Sequence, residues 1–195
     1  MKELNSLTKP TSGVGAMIFD LETNVLLNNA TRIHCISLNW YEDDRIESFN
    51  DEKYTEKAKE LPMGSNYSIT TALAHLEVAD TIIGHNIIGF DIPIIKKLYP
   101  FFNFTGNIVD TLILSRLYHP NLFDIDKNRN WKHMPLQLYG RHSLESYGYR
   151  LGEYKGNFAK TTDWKDWSQE MQDYCVQDVL VTTKLCKHFH RYLTG

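Results

Sequence analysis

The sequence predicts an α/β fold with a central mixed β-sheet flanked by helices, and two features of the chain predict it. Apolar runs follow each other closely at 16–19, 33–40 and 45–49, which indicates three strands that pair antiparallel. Beyond residue 68, segments with the apolar spacing of amphipathic helices alternate with short apolar strands, a pattern typical of parallel strands joined by helices. A sheet that contains both kinds of pairing is mixed.

The elements after the first three strands are predicted in chain order. Apolar residues three and four positions apart predict a helix over 69–79. Pro93 falls in the first turn of the helix that follows the 85–90 loop, where proline is tolerated, and that helix is expected to end near Tyr99. The remaining predicted elements are strands over 81–84 and 107–110 and helices over 111–118, 143–151 and about 168–192.

The segment between Asn121 and Tyr139 shows no clear period, and we expect it to be irregular. It contains Lys127, Arg129, Trp131, Lys132 and His133. Cations interleaved with an aromatic ring can bind single-stranded nucleic acid by phosphate contact and base stacking. A solvated surface loop explains the same residues, so both interpretations stay open.

Length, charge and composition limit the class of protein. The 195 residues suffice for one domain, and we expect residues 1–15 to be a flexible leader before a single domain over 16–195. A net charge of −3 argues against a broad basic surface that coats nucleic acid, but not against an enzyme that uses bound cations. The three cysteines show no C-x-x-C spacing, and the sequence has neither a signal peptide nor an apolar stretch of about 20 residues. We therefore expect a cytoplasmic protein with no membrane partner.

Two carboxylates, Asp20 and Glu22, follow the first apolar strand one residue apart. Strand side chains alternate between faces, so both point the same way. Like charges at a buried strand end repel and lose hydration, and no Lys or Arg lies within residues 16–23. A divalent cation with hard oxygen ligands removes this cost, which makes the pair a candidate Mg²⁺ or Mn²⁺ site. The alternative is a frayed strand end with both acids hydrated.

Two further acids lie in unusual settings. Asp91 lies where a loop turns into a helix, and Asp178 falls on the apolar face of the final helix. A carboxylate in an apolar stripe is unfavourable unless it is paired or ligates a metal. If these acids converge with the first pair, the four can hold two divalent ions. The Tyr174 hydroxyl, one helical turn from Asp178, would then orient or help deprotonate a water.

Three motifs carry a resemblance to a known family. In chain order they are Asp20-x-Glu22, Asn86-x-x-x-Phe90-Asp91 and Tyr174-x-x-x-Asp178. In this order and at these separations they resemble the three motifs of the DEDDy class of 3′ to 5′ exonucleases, which have a ribonuclease H-like fold. The stretches 108–117, 142–153 and 174–179 are also similar to the proofreading exonuclease domain of family A DNA polymerases of T-seven-like phages.

The resemblance implies a role for each matching residue. It implies metal ligands at Asp20, Glu22, Asp91 and Asp178, a catalytic tyrosine at Tyr174, and substrate contacts at Leu21, Thr23, Asn86 and Phe90. The four acids would hold two ions, with Asp20 shared between them and Asp91 holding the second ion largely through water.

The function implied by the resemblance is a metal-dependent 3′ to 5′ exonuclease that shortens single-stranded or frayed DNA, in proofreading or other DNA processing during phage replication. Its partner is the 3′ end of single-stranded DNA. A separate DNA polymerase subunit is a further candidate partner, because the polymerase relatives continue into domains that this chain lacks. Two alternatives stay open. The first alternative is an exoribonuclease with the same chemistry, because no motif distinguishes RNA from DNA by its 2′-hydroxyl. The second is a non-catalytic subunit that binds nucleic acid or a polymerase.

Four other residues are assigned to structure. We expect Asp110 to cap the helix that starts at Thr111, and His85 to be a packed or hydrogen-bonded loop residue. Cys175 and Cys186 are expected to be small buried apolar groups.

Overall fold

The computed structural model describes residues 15–52, 68–153 and 164–193, and these residues form a five-stranded sheet with helices packed against it. The strands are β1 (Ala16–Thr23), β2 (Ile33–Trp40), β3 (Arg45–Asn50), β4 (Thr81–Gly84) and β5 (Asn107–Asp110). Their order in the sheet is β3-β2-β1-β4-β5, so β1 is central. It pairs antiparallel with β2 and parallel with β4, which confirms the predicted mixed sheet.

The described helices are α1 (Ile69–Val78), α2 (Asp91–Leu98), α3 (Thr111–Tyr118), α4 (Leu122–Arg129), α5 (Leu144–Leu151) and α6 (Gln169–Leu193), with a 3₁₀ turn over Leu136–Leu138. The side chains of Ser68, Asp110 and Ser143 each accept a hydrogen bond from a backbone N–H in the first turn of α1, α3 and α5. The predicted cap at Asp110 is confirmed. In the three described ranges, no helix is long and apolar enough to cross a membrane.

The side chains of β1 alternate between two packed layers. Met17 and Phe19 lie in a core with apolar residues of α1 and α2 on one face of the sheet. Ile18 packs on the opposite face against residues of α6. The same two-residue period places Asp20 and Glu22 on the α6 face. The central strand therefore presents both carboxylates to the longest helix.

The first strand is longer than the sequence predicts. β1 continues through Thr23, and Asp20 pairs with Ser37 while Glu22 pairs with Cys35 of β2. Antiparallel pairing with β2 keeps the backbone extended beyond the apolar run, because charged side chains at alternate positions do not interrupt a strand ladder. The two acids lie within a paired strand, and the alternative of a frayed strand end is wrong.

The expectation of an irregular segment over 121–139 is also wrong in part. Residues 122–129 form α4, and a 3₁₀ turn follows at Leu136–Leu138. The helix has no strong apolar stripe. Its interior side carries Leu122, the half-buried Ile125 and the charged residue Asp126. Trp131 is held by a hydrogen bond from its indole N–H to Asp126, at 3.0 Å. Whether the exposed cations of this segment contact nucleic acid stays a prediction.

Asp126 is the buried centre of this segment. Its carboxylate accepts hydrogen bonds from Nε and Nη2 of Arg150, at 2.9 and 2.6 Å, and from the backbone N–H of Gly140, at 2.8 Å. Burial by itself raises the pKa of Asp126, but the hydrogen bonds from Arg150, Gly140 and Trp131 outweigh burial, and the pKa is lowered. This ion pair ties α4 to α5.

Replacement of Asp126 by alanine is expected to destabilise the protein by about 3–5 kcal/mol, because it leaves the buried Arg150 guanidinium without its carboxylate. Urea unfolding followed by circular dichroism measures the loss. The matched control is Lys187→Ala, which breaks the exposed ion pair with Asp44 and should cost less than about 1 kcal/mol. Equal, small losses in the two variants would contradict a structural role for the buried pair.

Candidate active site

An open cleft of about 230 Å³ lies where the carboxyl ends of β1 and β4 meet α6. Eight of the nine predicted site residues line it: Asp20, Leu21, Glu22, Asn86, Phe90, Asp91, Tyr174 and Asp178. Parallel strands end at the same edge of a sheet, which is why residues after β4 meet residues of β1 here. The cleft thus gathers side chains from three separate parts of the chain.

Three carboxylates in the cleft are close enough to share one cation. Oxygen atoms of Asp20, Glu22 and Asp178 all lie within 4.8 Å of one another. Oxygen ligands at about 2.1 Å from a Mg²⁺ ion are at most about 4.2 Å apart, so small side-chain shifts suffice for coordination. Among the described residues, this is the only group of three or more His, Cys, Asp or Glu side chains whose ligand atoms all lie within 4.8 Å of one another. The donor set fits a hard divalent cation such as Mg²⁺ or Mn²⁺.

Asp91, the fourth acid, is the first residue of α2 and is almost fully buried. Burial, and then the charge of Asp20, raises its pKa well above the usual carboxyl range. Hydrogen bonds from its own backbone N–H and from that of Leu21 lower the pKa but do not outweigh these effects. A cation in the cleft would offset the repulsion between Asp91 and Asp20.

The loop that carries Asn86 is held by a carboxylate that the motifs do not include. Asp110 accepts hydrogen bonds from the backbone N–H groups of Asn86 and Ile88, at 2.9 and 3.1 Å, in addition to capping α3. At Gly84, before this loop, a Cβ atom would lie 2.2 Å from Cγ2 of Ile87. A side chain there would displace the loop, so the approach of Asp91 to β1 requires glycine.

Tyr174 lies half-buried on α6, one turn before Asp178. Its ring meets the Trp164 ring edge to face, with centroids 6.2 Å apart and planes at 75°. Burial, and then the charges of Glu22 and Asp20, raises the pKa of the Tyr174 hydroxyl. The raised pKa keeps the hydroxyl protonated at neutral pH, and the residue lines the cleft.

Thr23 is the one predicted site residue outside the described lining of the cleft. It is buried, and its hydroxyl donates a hydrogen bond to the carbonyl of Val25 at 2.7 Å. Its contact with substrate stays a prediction, as do the roles of the residues that do line the cleft.

Two residues line the cleft without having been assigned to it from sequence, His85 and Trp164. The Thr111 hydroxyl donates to the carbonyl of Gly84, so Nδ1 of His85 must be the donor in its 2.9 Å hydrogen bond to Thr111. The prediction of a hydrogen-bonded loop residue is confirmed for His85. Trp164 belongs to no motif, and the sequence carries no periodic signal that would place it in a cleft.

The fold and the acidic cleft define a family. The chain belongs to the RNase_H superfamily, whose family profile matches residues 17–190. This confirms the predicted ribonuclease H-like fold.

Two phage relatives are similar in sequence. The chain is 32% identical to the DNA-directed DNA polymerase of Enterobacteria phage T3 and 31% identical to that of Escherichia phage T7. Both alignments extend over 192 residues and cover 87% of this chain and 26% of the polymerase. The chain therefore spans about a quarter of the length of these relatives. The predicted resemblance to polymerases of this phage group is confirmed.

Solved structures of nucleases share the fold at low sequence identity. Brucella melitensis NrnC superimposes with a TM-score of 0.57 and 19% identity, over 92% of this chain and 74% of that one. A zinc-bound complex of E. coli ExoI with single-stranded DNA gives a TM-score of 0.51 and 15% identity, over 92% of this chain and 41% of that one. These similarities show that the backbone architecture is shared.

Asp91→Asn tests whether the cleft needs a cation. Because the pKa of Asp91 is raised by folding, the metal-free protein loses stability as the pH rises from about 4 through the raised folded pKa. At pH 8 in EDTA, Asp91→Asn is expected to have a higher melting temperature than the wild type. The rise in melting temperature on adding Mg²⁺ should be smaller in the variant, since a ligand is lost.

Differential scanning calorimetry at pH 5 and pH 8 measures both effects. Asp124→Asn, which neutralises an exposed acid of α4, is the control and should show the wild-type response to Mg²⁺. A wild-type melting temperature that does not respond to Mg²⁺ at pH 8 would contradict a cation site in the cleft.

Proposed function

We propose that the chain is a metal-dependent 3′ to 5′ exonuclease that hydrolyses phosphodiester bonds at the 3′ end of single-stranded or frayed DNA and releases nucleoside 5′-monophosphates. The observation that carries this proposal is the convergence of Asp20, Glu22 and Asp178 within 4.8 Å, with Asp91 and Tyr174 in the same cleft. Carboxylate clusters of this kind hold the cations of two-metal phosphodiester hydrolysis.

Each acid has a defined task in this proposal. Asp20, Glu22 and Asp178 would hold one Mg²⁺ or Mn²⁺ ion, and Asp20 and Asp91 would hold a second. When bound, such ions supply a hydroxide nucleophile and stabilise the leaving oxygen. The rigid placement of Asp20 and Glu22 on a central paired strand fixes the ligands before substrate arrives, so little reorganisation is needed.

Tyr174 would act by hydrogen bonding. Since its pKa is raised, the hydroxyl is protonated at the pH where the enzyme works and donates to the attacking water or to the phosphate. Its half-buried ring packs edge to face against the ring of Trp164. Orientation of the nucleophile, and not proton removal, is the contribution we assign to it.

DNA is proposed as the substrate because of the relatives. The phage T3 and T7 proteins that share about a third of the aligned residues are DNA polymerases, and a structural neighbour, E. coli ExoI, is seen with single-stranded DNA. Another neighbour, NrnC, is seen with bound Mg²⁺. Because these relatives are DNA polymerases, we propose that the chain serves as a proofreading or DNA-trimming unit and that a polymerase is a candidate partner.

We also propose that the protein acts in the cytoplasm. The three cysteines are buried with free thiols, which is the usual state of cysteine in a reducing compartment.

The experiment that tests the proposal is degradation of single-stranded DNA labelled at either end. With Mg²⁺ or Mn²⁺, the 5′-labelled strand should yield a ladder of shorter products, while the 3′ label is released early as a mononucleotide. EDTA should stop both. The reverse pattern of products would contradict the 3′ to 5′ polarity. Faster degradation of a matched RNA strand than of DNA would indicate that RNA, and not DNA, is the substrate.

Asp178→Asn is expected to reduce the rate of this reaction by at least about a thousandfold while the protein stays folded, because a neutral amide is a poor ligand for a hard cation. Asp173→Asn on the exposed face of α6 is the matched control and should cut at the wild-type rate. Cleavage by Asp178→Asn near the wild-type rate would remove the assignment of this cleft as the active site. No cleavage by a folded wild type would favour the non-catalytic subunit.

Tyr174→Phe should lower the rate of cleavage by about tenfold or more without changing the rise in melting temperature caused by Mg²⁺. The variant keeps the ring against Trp164 and removes only the hydroxyl that orients the water. Single-turnover kinetics together with calorimetry separate the two effects. An unchanged rate would leave Tyr174 as a packing residue.

A further inference from the structure

We propose that Trp164 is the residue on which the 3′-terminal base of the substrate stacks, an inference that rests on the proposed exonuclease function. Trp164 lines the same cleft as the four acids but belongs to no motif.

The backbone of Trp164 is fixed to the sheet. Its carbonyl oxygen lies 3.0 Å from Nε2 of His34, a buried residue of β2. Because a carbonyl oxygen can only accept, Nε2 of His34 carries the proton and donates it. This contact spans 130 positions of the sequence and holds Trp164 at the cleft.

The ring of Trp164 is supported by a buried side-chain cluster behind the cleft and by Tyr174 within it. It packs against a buried cluster of Cys35, Met171 and Cys175, which joins β2 to the first turns of α6. It also meets Tyr174 edge to face. Sulfur and aromatic contacts of this kind hold an indole in one orientation, so it can bind a second ring with little loss of conformational entropy.

A nucleotide has two chemically different halves, and the acids with their cations can bind only one of them. Phosphate oxygens interact with cations, whereas a base presents a flat π surface that is poorly matched by carboxylates. Among the aromatic residues that line the cleft, Trp164 offers the largest ring, next to the tyrosine proposed to orient the water. Stacking on an indole accepts any base, as an exonuclease without sequence preference requires.

Trp167 provides the matched control within the same cluster. It packs against the same three residues, and its indole N–H donates to Oε1 of Gln172 at 3.1 Å. It is not among the described residues that line the cleft. Loss of either tryptophan weakens the cluster, but only loss of Trp164 removes a stacking surface from the cleft.

The test compares two single-stranded DNA substrates that differ only at the 3′-terminal nucleotide, which carries a base in one and is abasic in the other. Removal of the terminal nucleotide with Mg²⁺ gives kcat and KM for the wild type, Trp164→Ala, Trp164→Phe and Trp167→Ala. Binding of both substrates is measured by fluorescence anisotropy with Ca²⁺ in place of Mg²⁺.

The wild type is expected to prefer the base-bearing end. Trp164→Ala should lower kcat/KM for that end by about tenfold or more, chiefly through KM, and leave the abasic end nearly unchanged. Trp164→Phe should keep most of the preference. Trp167→Ala should keep the full ratio between the two ends, even if a weakened fold lowers both rates.

A ratio between the two ends that is the same in Trp164→Ala and the wild type would overturn the inference. So would a loss that is equal at both ends, because packing alone would produce it. If no variant cleaves DNA, the proposed exonuclease fails, and the anisotropy decides the stacking role. A preference of the wild type for the base-bearing end that Trp164→Ala loses supports it, and equal binding of both ends overturns it.

Discussion

Repulsion between carboxylates at the centre of the sheet is the constraint on which the rest of the structure depends. Asp20, Glu22 and Asp178 bring their oxygens within 4.8 Å, and Asp91 is buried beside Asp20. Collecting these charges is unfavourable in the absence of a cation, so the surrounding contacts must hold them together. A divalent cation bound between these carboxylates would offset this energetic cost.

The position of α6 on the sheet is set by polar contacts at several points along its length. Nδ2 of Asn39 on β2 donates to the Thr183 hydroxyl at 2.9 Å, both groups being buried. Nearer the cleft, the Cys175 thiol donates to the carbonyl of Asp20 at 3.3 Å. Apolar packing alone would let a helix slide along a sheet, whereas directional hydrogen bonds fix its register. The distance between Asp178 and Asp20 follows from this register.

The sequence allowed prediction of the mixed sheet and of the convergence of the four acids, because both depend on regular periods and on ordered motifs. It did not allow prediction of α4, since the contact that stabilises α4 joins Asp126 to Arg150 across 24 positions and leaves no local pattern. The place of Trp164 in the cleft depends on a still longer contact, with His34. The positions of the cleft residues do not show their roles in a reaction, so these roles stay predictions until activity is measured.

The candidate cation ligands Asp20 and Asp178 lie far apart in the sequence, so a cation site built from them would depend on the order of folding. The thiol contact between α6 and the carbonyl of Asp20 joins residues 155 positions apart. Closing so large a loop carries an entropic cost that is repaid only when the final helix docks. A polypeptide still emerging from the ribosome can form the strand that carries Asp20 and Glu22 but lacks the third oxygen ligand. Tight binding of a cation by these three carboxylates would therefore require that synthesis has passed residue 178 and that the last helix is in place.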